Sequence, residues 1–226
     1  SFFYERIKPK AIPLDYHQVD AHTTEHLIKL LNKKSKTPTN ILIYGVPGTG
    51  KTSYAVGIAQ KLDIPTYRIM PNIESHAESC RVGIAACLNM THGGKGSLII
   101  VDDADSTLNT VGSLSKMKGA KDKGWLNELL ETKESRIIWI ANAIDQVEES
   151  VLRRFAFSFE FKPFNQRQRS RVWETVLEAN RISGILRSDQ INDLTKSHKL
   201  NPGVIDMAVK KAISITPGFN LWDLNP

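Results

Sequence analysis

The chain has 226 residues, of which 41% are hydrophobic and 24% charged, with a formal net charge of +6. That length accommodates one large domain, or one α/β domain plus a small satellite, and the composition is that of a globular protein. No apolar run approaches the ~18 residues of a membrane span, no signal peptide is recognised, and two cysteines in so long a chain point to a reducing, cytoplasmic compartment.

Residues 1–19 mix aromatic, basic and proline residues and read as an extended arm. Ala21–Asn32 carries Leu27, Ile28, Leu30 and Leu31 at amphipathic-helix spacing, with Thr23 or Thr24 available as a cap. A polar connection, Lys33–Thr39, leads into a first strand at 40–44. Ser53–Leu62 reads as helix, Ile64–Met70 as a second strand, and Ser75–Met90 as helix again. The unbroken apolar run Ser97–Val101 fits a third strand buried on both faces. Asp105–Gly124 is a polar loop, Trp125–Thr132 a short helix and Arg136–Ala141 a fourth strand. Val147–Arg154 is a short helix, and a fifth strand follows at 156–161. Strands separated by helices imply a right-handed α/β sheet.

After Pro163 the strands stop. Asn165–Ala179, Ser188–Ser197 and Pro202–Ala212 are helical patterns capped by Asn165, Ser188 and Asn201, and Thr216–Pro226 reads as an irregular tail. Cys80 and Cys87 lie about two helical turns apart and read as buried small hydrophobes rather than a metal pair. The chain starts at Ser1 rather than Met, which leaves room for a flanking domain.

The chemistry concentrates between the first strand and its helix. Gly45, Val46, Pro47, Gly48, Thr49, Gly50, Lys51 and Thr52 spell G-x-x-x-x-G-K-T, with Ser53 opening the helix. The glycines let successive N–H groups turn inward around an anion, and the helix N-terminus adds its dipole. Lys51 supplies a positive charge for the β- and γ-phosphates, and the Thr52 hydroxyl suits Mg²⁺.

From about residue 12 to residue 213 the chain resembles an AAA+ ATPase core. The resemblance implies an α/β P-loop NTPase fold: a parallel five-stranded sheet of order 5-1-4-3-2 between helices, with a small all-helical lid. It implies an arm and nucleotide-binding domain over residues 1–163, and lid plus tail over 164–226. Leu98-Ile-Ile-Val-Asp102-Asp103-Ala-Asp105 is similar to Walker B. By that resemblance Asp102 joins Thr52 in holding Mg²⁺, and Asp103 orients or deprotonates the attacking water where the family usually has Glu. Asn142, directly after the fourth strand, matches sensor 1. Val151-Leu152-Arg153-Arg154-Phe155 is similar to the arginine-finger segment, with Arg154 ahead of Arg153, acting in the neighbouring subunit of a homo-oligomeric ring, a hexamer being one option. The helix from Pro202 matches the one that opens with sensor 2; it carries no Arg there, and Gly203 and Val204 are placed near the adenine. Ile12–Tyr16 takes the family position that covers the base from the other side.

Pro71–Ser79 lacks the aromatic of polypeptide-threading members. Lys116, Lys118, Lys121 and Lys123 either face DNA or an acidic partner, or solvate a loop; without interleaved aromatics the loop is favoured. The expected activity is hydrolysis of ATP to ADP and phosphate, driving conformational change in an assembly or a bound partner. A nucleotide-dependent assembly module with marginal hydrolysis and a DNA-associated loader are the alternatives.

Overall fold

The computed structural model describes residues 4–7, 13–17, 19–32, 36–70, 76–91, 93, 96–109, 124–198 and 200–215. Among these residues six strands form one sheet: β1 (Glu5–Ile7), β2 (Thr39–Tyr44), β3 (Thr66–Ile69), β4 (Leu98–Val101), β5 (Arg136–Ala141) and β6 (Phe157–Glu160), in the order β1-β3-β4-β5-β2-β6. The five strands read from sequence run parallel in the implied order, with β2 between β5 and β6. The arm adds the sixth, β1, which pairs antiparallel with β3 and sets Glu5 opposite Arg68.

Alternation along each strand fills two cores, because the sheet is covered on both faces. Ile137, Trp139 and Ala141 of β5 face one way, with Ile99, Val101 and Leu42. Helix α3 (His76–Met90) packs there through Cys80, Ile84 and Cys87, beside a helix at 124–130, α5. Ile138 and Ile140 face the other way, against Leu27 and Leu31 of α1 (Ala21–Asn32) and Tyr54, Ala55 and Ile58 of α2 (Lys51–Leu62). Each buried Leu, Ile or Val among them contributes roughly 1.5–3 kcal/mol on burial. Both cysteines are free and buried, and burial pushes the Cys80 thiol up and the Cys87 thiol up to about 12. Buried Asn40 is satisfied by accepting from Trp139 Nε1 (3.1 Å) and donating to the Leu130 carbonyl (2.8 Å), which ties β2, β5 and α5 together.

Two short helices differ from expectation. Asp105–Leu108, read as the start of a loop, is the helical turn α4, and the helix before the fifth strand shortens to α6 (Glu149–Leu152). Three helices then follow: α7 (Gln166–Ala179), α8 (Ser188–Ser197) and α9 (Pro202–Ile215). Asn165 caps α7 through a reciprocal pair with Gln168, both bonds 2.9 Å, and Asn201 accepts from Val204 N–H at 3.0 Å. Ser188 is not a cap: it is the first residue inside α8, and Arg187 takes the cap position, its N–H donating to Gln190 Oε1 at 2.9 Å. Val172, Trp173, Val176, Ile191, Ile205 and Val209 form the core of these helices. Tyr16 joins them from a 3-10 turn, η1 (Leu14–His17).

Candidate phosphate-binding site

Because β5 lies between β4 and β2, the carboxyl ends of three neighbouring strands open on one crevice, where ligands of open α/β sheets bind. The loop after β2 begins at Gly45, with φ 138°; a Cβ there would sit 2.5 Å from the Phe161 carbonyl oxygen. The loop ends at Gly50, left-handed at φ 98°, packed against the His17 ring and Pro202. At both positions only glycine fits without displacement.

Lys51, the first residue of α2, turns back under the loop. Its Nζ donates to the carbonyls of Gly45 (2.6 Å) and Val46 (3.1 Å) and to Asn142 Oδ1 (3.1 Å). Burial lowers its pKa, opposed by the charges of Asp105, Asp102 and Asp103. The Thr49 hydroxyl also donates to the Val46 carbonyl, at 3.0 Å. Thr52 donates to Asp102 Oδ1 at 3.0 Å, so the two oxygens assigned to a metal meet across the crevice.

Asn142 is held from below by Asp105. Oδ1 of Asp105 accepts from the Asn142 and Ala143 N–H groups (2.7 and 3.1 Å), and Oδ2 accepts from Asn142 Nδ2 (3.1 Å). Asp103 is exposed and left-handed at φ 47°, a conformation that aspartate tolerates better than most residues. The resulting cavity, about 350 Å³, is lined by Pro47, Gly48, Gly50, Lys51, Thr52, Ser53, Asp102, Asp103, Ile140, Asn142 and Asn201.

An anion cradle with a lysine at its floor fits the phosphates of a nucleotide. The pair of hard oxygens, Thr52 and Asp102, fits Mg²⁺; among the described residues no group of three or more His, Cys, Asp or Glu is arranged to hold a metal. That sparse donor set suits an ion that keeps its waters and leans on phosphate oxygens.

The other expected residues are placed less centrally. Gly203 and Val204 do not line the cavity; their helix reaches it through Asn201. Arg153 pairs with Glu149, and Arg154 with Glu131 and the Ser150 carbonyl; neither lines the cavity of its own chain. Ile12, the segment 71–75 and Lys116, Lys118, Lys121 and Lys123 lie outside the described residues.

Three contributors carry no role in the sequence reading. Asp105 stands in the quoted D-D-A-D string, but its loop assignment hid it. Arg68 donates to Asp102 Oδ2 from Nε (3.1 Å) and Nη2 (2.5 Å); its only sequence signal is a charge inside an apolar strand. His17 is buried, its Nε2 3.3 Å from Ser53 Oγ and its ring edge-on to Tyr54 and Phe161. Burial lowers its pKa to about 4.

The model of the "ATPase family associated with various cellular activities (AAA)" matches residues 41–163. The chain belongs to this family of ATPases. It is 28% identical over 131 residues to the ATP-dependent zinc metalloprotease FtsH of Malacoplasma penetrans, covering 53% of this chain and 16% of that protein. With replication factor C subunit 5 of Arabidopsis thaliana it shares 30% identity over 169 residues, 69% of this chain and 42% of the relative. With the outer mitochondrial transmembrane helix translocase of Danio rerio it shares 24% over 163 residues, 68% and 45%. The chain thus spans less than half the length of each of these three relatives. No helix among the described residues is long and apolar enough to cross a membrane.

Proposed function

We propose that this chain hydrolyses ATP to ADP and phosphate and passes the change of nucleotide state to neighbouring copies of itself. The observation that carries the reading is the convergence on one cavity of Lys51, Thr52, Asp102, Asp103 and Asn142 from three sheet positions. The loop 45–53 takes the phosphates through its amides, and Lys51 follows them with its ammonium. Thr52 and Asp102 would hold Mg²⁺, which would supply positive charge to offset that of the phosphates. Asp103 and Asn142 orient the water that attacks the γ-phosphate, with Asp105 fixing the amide of Asn142. Arg154, with Arg153 beside it, completes the site of an adjacent subunit. Residues 1–163 act as the nucleotide-binding domain, and 164–226 as the lid and tail that move with the nucleotide.

A second reading is favoured by one residue. Asp103 is a methylene shorter than the family's usual Glu, which suits a module that binds nucleotide for assembly and turns over slowly. The named relatives differ in task, a protease, a replication factor and a translocase, and none of these tasks is assigned to this chain. Steady-state phosphate release tests the proposal: the intact protein exceeds a Lys51→Ala control by orders of magnitude, and equal rates refute hydrolysis. Mass in solution with and without MgATP tests the second half. A chain that stays monomeric with MgATP leaves Arg154 without a site to complete.

A further inference from the structure

We propose that Arg68 is the positioning residue of the metal-holding carboxylate, deciding which oxygen of Asp102 is offered to Thr52 and the divalent ion. The inference rests on the ATPase reading above. Arg68 stands on β3 opposite Ile100 of β4, and Asp102 follows β4 directly, its N–H donating to the Ile69 carbonyl at 3.0 Å. Arg68 and Asp102 therefore meet across adjacent strands. Both Nε and Nη2 close on the same atom, Oδ2. Oδ1 is left to the Thr52 hydroxyl (3.0 Å) and the Asp103 N–H (3.2 Å).

A carboxylate has two equivalent oxygens and rotates between them unless something distinguishes the two. The guanidinium does so here: it is planar, always charged and without an acceptor, so it fixes one oxygen and can never itself become a ligand. The side chain of Asp102 is 8% exposed, too enclosed for bulk water to substitute for that partner. Arg68 is itself steadied from its other end, where Glu5 Oε1 lies 3.9 Å from Nη1. Glu5 belongs to β1, so the strand that the arm adds to the sheet edge backs the arginine that orients the metal carboxylate.

Partners that orient a metal ligand without touching the ion typically alter metal affinity 10–100-fold when removed. The test is nucleotide binding followed by a fluorescent ATP analogue, titrated with Mg²⁺ and repeated in EDTA, for wild type, Arg68→Gln and Arg68→Lys. Arg68→Gln raises the half-saturating Mg²⁺ concentration about tenfold and leaves affinity in EDTA within about twofold of wild type. Arg68→Lys keeps the charge but not the fork and shifts less; it carries the test if circular dichroism shows that Arg68→Gln does not fold. An unchanged Mg²⁺ midpoint overturns the inference. So does a lower midpoint, which makes the guanidinium a competitor of the ion, and so does an equal loss in EDTA, which makes it a general support of the loop. If wild type itself shows no Mg²⁺-dependent binding, the ATPase reading falls and the inference with it. A responsive wild type beside a variant with the same Mg²⁺ midpoint removes the inference alone.

Discussion

His17 makes the protein's stability depend on pH in the acid range. The residue is 1% exposed, burial holds its pKa near 4 against 6.5 in an unfolded chain, and its Nδ1 has no hydrogen-bond partner among the described residues. The folded state therefore binds fewer protons than the unfolded state between those two values, and stability rises with pH across that window. The contribution of neutral His17 is fully present above pH 6.5 and is lost as pH falls to about 4. A shift of this size corresponds to about 3 kcal/mol in all, of which about 2.5 kcal/mol is gone by about pH 4.5. Denaturant unfolding of wild type and His17→Gln at about pH 7.5 and about pH 4.5 reads it directly. Substitution has its own packing cost at both pH values, so the informative quantity is the difference between the two slopes. The wild type loses about 2.5 kcal/mol more than the variant on acidification. Parallel curves, within about 0.5 kcal/mol, refute the assignment. The loss falls on a junction: His17 packs under α2 while its neighbour Tyr16 sits in the core of the C-terminal helices.

Three further outcomes follow from the site. Asp103→Asn keeps a side chain suited to φ 47° and so leaves stability unchanged, while phosphate release falls about 10²–10⁴-fold with nucleotide affinity retained; a thermal melt and a steady-state phosphate assay check both halves. Asp105→Ala removes three hydrogen bonds around Asn142, costs about 1–3 kcal/mol in denaturant unfolding, and lowers turnover more than nucleotide affinity. Gly45→Ala drives a Cβ to 2.5 Å from the Phe161 carbonyl at a φ of 138°, which costs about 2–4 kcal/mol and is read as a fall in midpoint denaturant concentration.

The phosphate loop was legible because its chemistry is local: glycines, lysine and threonine are contiguous, and the strand and helix around them have clear periods. Asp102 and Asn142 were legible because each follows an apolar strand, yet their adjacency depends on β4 and β5 being neighbours, which only the family resemblance implied. What stayed hidden is held by long-range pairing. The three residues of β1 sit in a proline-broken arm and gain strand character only from β3. Arg68 and Asp102 are 34 positions apart, and nothing in either local pattern announces the contact. Asp105 was concealed by the polar stretch that follows it, since one helical turn carries too few residues to show a period. His17 lies in a single 3-10 turn among mixed residues, and its burial comes from α2 and Phe161 closing over it.

Lys51 suggests how occupancy is felt beyond the loop. Its ammonium is already desolvated and occupied, with two loop carbonyls and the amide oxygen of Asn142 standing where phosphate oxygens act on the proposed reading. A phosphate cannot engage Lys51 without displacing some of these acceptors, and Asn142 is the one that belongs to another strand. Asn142 is in turn bound to Asp105, the first residue of α4, on the segment that leads into 110–123. On that reading, filling the cradle exchanges an acceptor inside the loop and alters the load on a contact outside it. Among the described residues, three carboxylates, Asp102, Asp103 and Asp105, stand around the crevice against two cations, Lys51 and Arg68, and Arg68 is already committed to Asp102. A triphosphate entering without a divalent ion meets an excess of like charge at close range. On the proposed reading a divalent ion relieves that repulsion, while the hydrogen bonds from Lys51 to Asn142 and from Asn142 to Asp105 join the loop to α4.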